Sequence, residues 1–253
     1  MTGVLFAAFP HTGQAIADHD GIGATPVITR VQGDAVCTCL ESNPEIARLH
    51  THDGGMLNSI LYLHIAGGSA ALLSMFIPLL TKKGGMSHRP AGWVFVSGMT
   101  VVSITALLLA GTRWATDPTP RGREAGAFLL FLSILTATSV SGGVRVLRAK
   151  TRTTRHRHPW DLGLPALLTG SSIAAAVYGL STGNYLFTAF SVIGLFGGGG
   201  HLAYWMTPPT HPMHWWFEHM SSMLGACIAA TTAFLVVNAG NLGMETFSLA
   251  VWL

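Results

Sequence analysis

Six stretches of the chain are apolar for long enough to cross a bilayer: about 57–80, 90–112, 125–147, 162–181, 185–206 and 213–238. A helix crosses the hydrocarbon core in about 20 residues. Within these stretches hydrophobic and small residues run on without the strict alternation of a barrel strand. Backbone groups in hydrocarbon must bond within their own segment, so each stretch predicts a helix. The reading is an all-α polytopic membrane bundle of about six transmembrane helices over residues 56–240, with a tail at 1–55 and a short tail at 241–253.

Residues 1–55 mix Gly, Thr, Asp, His and Pro with no sustained period, the pattern of a disordered outer tail. The short apolar run Val4–Phe9 has no basic residue before it and no clear small-residue cleavage site, which makes a poor signal peptide. Met56 stands just before the first span, so either Met1 or Met56 reads as the true start. Cys37, Cys39, His50, His52 and Asp53 could gather a metal, but their spacing matches no zinc pattern. Three cysteines make no disulfide framework, and Cys227, inside the last span, reads as a small hydrophobe.

Composition agrees with the spans. Of 253 residues 10% are charged, where a soluble domain has about a quarter. The mean hydropathy is +0.46. Nine of the 14 Lys and Arg fall in two connections: Lys82, Lys83 and Arg89, then Arg145, Arg148, Lys150, Arg152, Arg155 and Arg157. Positive loops stay cytoplasmic, so both termini lie outside. The net charge of +3 comes from this asymmetry and gives no reason to expect nucleic acid. The expected partner of the basic run is anionic lipid.

Polar side chains inside the spans carry the candidate chemistry. In the last span Glu218 and His219 follow Trp215 and Trp216 by one turn, and Ser222, Met223, Ala226, Ala230 and Ala233 continue the face of His219. Such a small-residue stripe packs against other helices, so His219 points into the bundle. His201 follows Gly194 and the run Gly197–Gly200. Each glycine costs a helix about 1 kcal/mol against Ala, so the run needs a packing reason or marks a distortion. His64 shares a face with Gly67, Gly68 and Ala71, and His88 and Arg89 begin the second span. The third span carries Ser133, Thr136, Thr138, Ser139, Ser141, Gly142 and Gly143, which allow close approach and hydrogen bonds between helices.

The blocks LHIAGGSAALLSMFIPLL, HRPAGWVFVSGM and WFEHMSSMLGACIAATTAFLVVN resemble three blocks of an uncharacterised bacterial family of multi-pass membrane proteins, the domain of unknown function two-three-zero-six type. The resemblance covers roughly 57–238 and carries His64, His88, Arg89, Gly92, His219, Met223, Gly225 and Ala226. Cys227 stands where that pattern has an aromatic, and His201 where it has a more acidic or polar helix end. The resemblance implies a multi-pass protein of the bacterial plasma (inner) membrane and brings no activity with it.

Three functions follow from these residues. The first is electron transfer through haem b, held by imidazoles of facing helices. His219 and His201 sit at similar depth and are the expected ligands of the haem iron, with Gly197, Gly198, Ser222 and Ala226 making the space; His64 and His88 are the further candidates for cofactor binding. The alternative for the same histidines is to bond each other or nearby carbonyls and bind nothing. The second function is a small-molecule or ion transporter, which needs a broken helix and a polar site near the midplane. The third is a non-catalytic subunit or assembly factor of a membrane complex, or a homo-oligomer. No P-loop, dinucleotide fingerprint, HExxH or serine-hydrolase elbow is present in a fitting context, and there is no CxxCH.

Overall fold

The structure is a computed structural model that describes residues 44–156 and 158–238; the side chains of 44–54, Val236 and Val237 lie outside the description. It consists of α1 (Pro44–Leu80), α2 (His88–Thr116), α3 (Pro120–Arg145), α4 (Pro159–Thr182), α5 (Tyr185–Met206) and α6 (His214–Asn238), with a 3-10 turn at Val146–Arg148. No strand occurs among the described residues. The chain is an integral membrane protein of the all-α polytopic class.

The expected spans and the helices agree closely. Among the described residues five helices are long and apolar enough to cross: Gly55–Leu80 within α1, α2, Pro120–Arg148, α4 and α5. The sixth expected span is α6, a helix of 25 residues. One boundary differs. The expected tail at 1–55 overlaps α1, which begins at Pro44. Proline at a first helical position is pre-organised for the turn, and Glu45, Ala47, Arg48 and Leu49 are strong helix formers, so the helix starts before the apolar run. The rest of that tail, the cysteine- and histidine-bearing cluster in it and the tail at 241–253 fall outside the described residues or side chains.

Two units can be distinguished, Ile60–Leu235 and a second made of Met1–Ser59 with Val236–Leu253. In the first unit, lipid supplies no hydrophobic drive between helices, so close backbone approach holds the bundle. At the crossing of α1 and α2, a Cβ on Gly98 would lie 2.6 Å from the Gly67 carbonyl oxygen and 3.1 Å from Ala71 Cβ. Only glycine fits there. Helices α4 and α5 form the short hairpin expected from their link, with Gly183 in the left-handed region at φ 70°. Asn184 caps α5 through its side-chain oxygen, which accepts from Leu186 and Phe187 N–H at 3.2 and 3.3 Å.

Helix α3 joins the two halves of the core. Its Phe131 and Leu135 pack with Leu168 and Ala175 of α4 and Phe187 of α5. Its Val140 packs with Ala71 and Met75 of α1, Phe95 and Met99 of α2, and Ala226 and Cys227 of α6. Cys227 is thus the small core hydrophobe expected of it. Large aliphatics such as Leu224 and Ile228 of α6 face outward.

Candidate functional site

The glycine run of α5 has a packing reason, and it lies on the side of α4. A Cβ on Gly198 would come within 2.9 Å of the Pro165 carbonyl oxygen. Gly197 faces Leu168 and Leu135 at 3.8 and 4.0 Å, while Gly199 and Gly200 meet nothing within 4 Å. Helix α5 runs unbroken through all of them. The space expected between α5 and α6 at Gly197 and Gly198 is therefore filled by α4, because a helix without side chains on one face draws its neighbour in.

His201, one turn beyond Gly197 and Gly198, is buried, with 7% of its surface exposed. Its partner is Glu218 of α6: Nδ1 lies 2.8 Å from Oε1. The ring N–H is not aligned on that oxygen as a hydrogen bond, so the contact is one of proximity. Nε2 lies 3.5 Å from Ser222 Oγ, one turn along α6 from Glu218. On the α3 side, a Cβ on Gly142 would come within 2.5 Å of His201 Cε1. The imidazole is thus wedged between a bare stretch of α3 and two polar residues of α6. Glu218 and Ser222 share a face by the four-residue step.

His219 turns to the next residue of α3. Its Nδ1–H donates to the Gly143 carbonyl at 2.7 Å. A carbonyl only accepts, so this bond places the proton of the neutral ring on Nδ1. Ser222 and Met223 pack against Gly143, where a Cβ would stand 3.0 Å from Ser222 Cβ. His88 caps α1: its Nδ1 is 3.2 Å from the Pro78 carbonyl, an orphan acceptor of a helix end. His64 Nδ1 is 2.9 Å from Thr105 Oγ1, whose hydroxyl donates to the Val101 carbonyl at 2.7 Å. His201 and His219 therefore meet α3 at adjacent glycines, and each of the four histidines has a partner of its own.

This arrangement does not fit a haem between His201 and His219. The glycines that would clear a macrocycle are occupied by α4 and by the His201 ring. Among the described residues no group of three His, Cys, Asp or Glu side chains is arranged to hold a metal ion.

A second polar cluster lies at the basic end. Asp161, 4% exposed in the first turn of α4, takes Arg145 Nη2 at 2.8 Å and a shorter bond from Arg145 Nε. His156 Nε2 reaches the same carboxylate at 2.6 Å. Asp161 suits the first turn of α4 as an acid at a helix N-terminus, and its partners sit 16 and 5 residues away across a loop. Between this cluster and Gly142 is a cavity of about 10 Å³, lined also by Thr138, Ser141 and Trp205. Arg152 fastens the same loop to α5, donating to the carbonyls of Tyr204 and Thr207 at 2.7 and 2.8 Å.

Sequence reasoning placed Glu218 on the inward helix but missed it as a site residue. An acidic group inside a span is costly and marks function until a partner explains it. Its partner comes from α5, 17 residues back, so spacing alone does not reveal it. No family model, no curated protein and no solved structure matches the chain.

Proposed function

We propose that this chain is a proton-handling membrane protein, with His201 and Glu218 as the group that takes up and releases the proton. The observation that carries the reading is the 2.8 Å contact between the imidazole and the carboxylate inside the bundle. An imidazole and a carboxyl at that distance share a proton once the ring turns to align on the oxygen. In a medium of low dielectric, a change in their joint charge acts strongly on the surrounding helices. The ring touches α3 and α6 as well as its own helix, so a change of charge reaches three helices at once.

The polar groups around Gly142 support the reading. His201 lies on one side of this glycine. The small cavity beside the Asp161 cluster also borders this glycine, and its size suits about one water molecule.

Two other chemistries compete for the same residues. Glu218, His201 and Ser222 stand in the order carboxylate, imidazole, hydroxyl, the order of a nucleophilic triad. Ser222 is buried, and its hydroxyl donates to the Glu218 carbonyl at 2.7 Å, so no substrate carbonyl reaches it. Haem ligation by His201 and His219 requires room for a macrocycle, and the glycines that would give it are filled by α4 and the His201 ring. The resemblance to the domain of unknown function two-three-zero-six type is read here as one of fold: its His64, His88 and His219 each bond a neighbouring helix.

The test is proton flux in proteoliposomes with an internal pH dye and an imposed potassium diffusion potential. The full chain should change the internal pH faster than empty liposomes do, and Glu218→Gln should return the rate to that of empty liposomes. Equal rates for the full chain and empty liposomes would reject the proposal. A b-type absorption band in the dithionite-reduced protein would favour electron transfer instead.

A further inference from the structure

We infer that the face formed by α1 and α2 holds one anionic phospholipid, with its phosphate at Arg89 and an acyl chain in the groove over Gly98. The groove has a volume of about 390 Å³ and is lined by Ala70, Trp93, Val94, Ser97, Gly98 and Val101. It exists because the tight crossing at Gly67 and Gly98 leaves no side chain on the floor, while Trp93 and Val101 stand up as walls. It opens away from the core: Trp93 is 59% and Val94 49% exposed.

The chemistry of the occupant follows from the end of the groove. Arg89, Trp93, Ser97 and Val101 recur by four residues, so they stack along one face of α2. Helical side chains lean toward the N-terminus, which carries the exposed Arg89 guanidinium past Trp93 toward the basic end. Lys82, in the adjoining loop, is exposed as well. Lys83 is not available, since its Nζ donates to the carbonyls of Pro78 and Leu79 at 2.7 and 2.9 Å. A guanidinium fork matches a phosphate bidentately, and an indole favours the headgroup level. Apolar walls below, an indole at the rim and a cation above complement a phospholipid lying head-up in the basic leaflet. A second copy of the chain is disfavoured on this face, because a two-fold pairing of parallel copies would set Arg89 against its own symmetry mate.

Native mass spectrometry of the full chain released from nanodiscs tests this, with phosphatidylglycerol and phosphatidylcholine of identical chains in equal amounts. The expected result is a one-lipid adduct enriched in phosphatidylglycerol. Arg89→Gln should reduce that enrichment by about fivefold, the worth of one basic residue beside an anionic headgroup. Arg89→Lys should keep most of it, and Lys150→Gln, on a different surface, should keep all of it. Ser97→Phe, which fills the groove, should remove the adduct with either lipid; a thermal melt matching the parent shows that the variant is folded. Equal adducts of the two lipids on the parent chain, unchanged enrichment in Arg89→Gln, or a dimer in place of the lipid adduct would each overturn the inference.

Discussion

His201 of α5 and Glu218 of α6 meet at 2.8 Å inside the bundle, with the imidazole pressed on Gly142 of α3. The relationship joins three helices through one ionisable contact. Glu218→Ala leaves His201 buried without its acidic partner. Removing one member of a fully buried pair costs about 3–5 kcal/mol, and Glu218 keeps 20% of its side chain exposed, so a loss of about 2 kcal/mol is expected. The double variant His201→Leu with Glu218→Ala should recover part of it. Thermal unfolding in detergent of the two single variants and the double variant measures the coupling, and strict additivity would show that the pair does not interact.

The glycines divide into two classes that substitution by alanine separates. At Gly142 the added Cβ would strike the His201 ring, and at Gly98 it would strike the Gly67 carbonyl. Each replacement should lower stability by about 1–3 kcal/mol through overpacking. At Gly199 nothing lies within 4 Å, so the same change should raise stability by up to about 1 kcal/mol through helix propensity. Melting temperatures of the three variants check the contrast, which a uniform effect would contradict.

The turn before α3 carries a pH dependence. Asp117 Oδ1 accepts from the Thr119 hydroxyl at 2.6 Å and from the Thr119 N–H at 3.0 Å, which holds the carboxyl below its ordinary range. A carboxyl lowered in the folded state stabilises it above the unfolded value of about 3.9, and that contribution is lost as pH falls through the lower folded value. Thr119 in turn accepts from Gly122 N–H at 3.0 Å as the N-cap of α3. Asp117→Asn should therefore weaken the turn at neutral pH and flatten the acid side of the stability curve. Melting temperature recorded from pH 6 downward for both proteins shows whether the curves converge in acid, as expected.

The fold was legible because hydrocarbon imposes one requirement that sequence displays directly, a long apolar segment. Span limits such as 185–206 agree with Tyr185–Met206 for that reason. The small stripe from Ser222 to Ala233 points inward at Ser222 and Ala226, which are buried, while Ala233 at its far end is exposed. The site was less legible. Periodicity shows which face a residue occupies but not which helix lies opposite, so Gly197 and Gly198 read as room for a ligand when they are the seat of α4. The same gap hid the pairing of His201 with Glu218, of His219 with the Gly143 carbonyl and of His88 with the Pro78 carbonyl.

Arg152 should act as a fastener for the loop 149–156. Its bonds to the Tyr204 and Thr207 carbonyls accompany stacking over the Tyr204 ring at 4.7 Å. Arg152→Ala removes charged bonds worth about 1.5–3 kcal/mol each before solvent screening at this partly exposed site. Limited proteolysis at Arg148 or Arg155 should become several-fold faster while the melting of the bundle changes little. An unchanged cleavage rate would show that the loop is held by other contacts, such as His156 N–H to the Trp205 carbonyl at 3.0 Å.

Proton uptake by the buried pair is read most directly from infrared difference spectra of the full chain in lipid, taken between alkaline and acidic buffer. Protonation of Glu218 gives a carboxylic C=O stretch that surface carboxyls, bonded to water, do not share in position. The account predicts a reversible band of this kind in the parent protein, its absence in Glu218→Gln, and a displaced midpoint in His201→Gln. A spectrum identical in the parent and in Glu218→Gln would contradict the assignment of the pair as the proton-binding group.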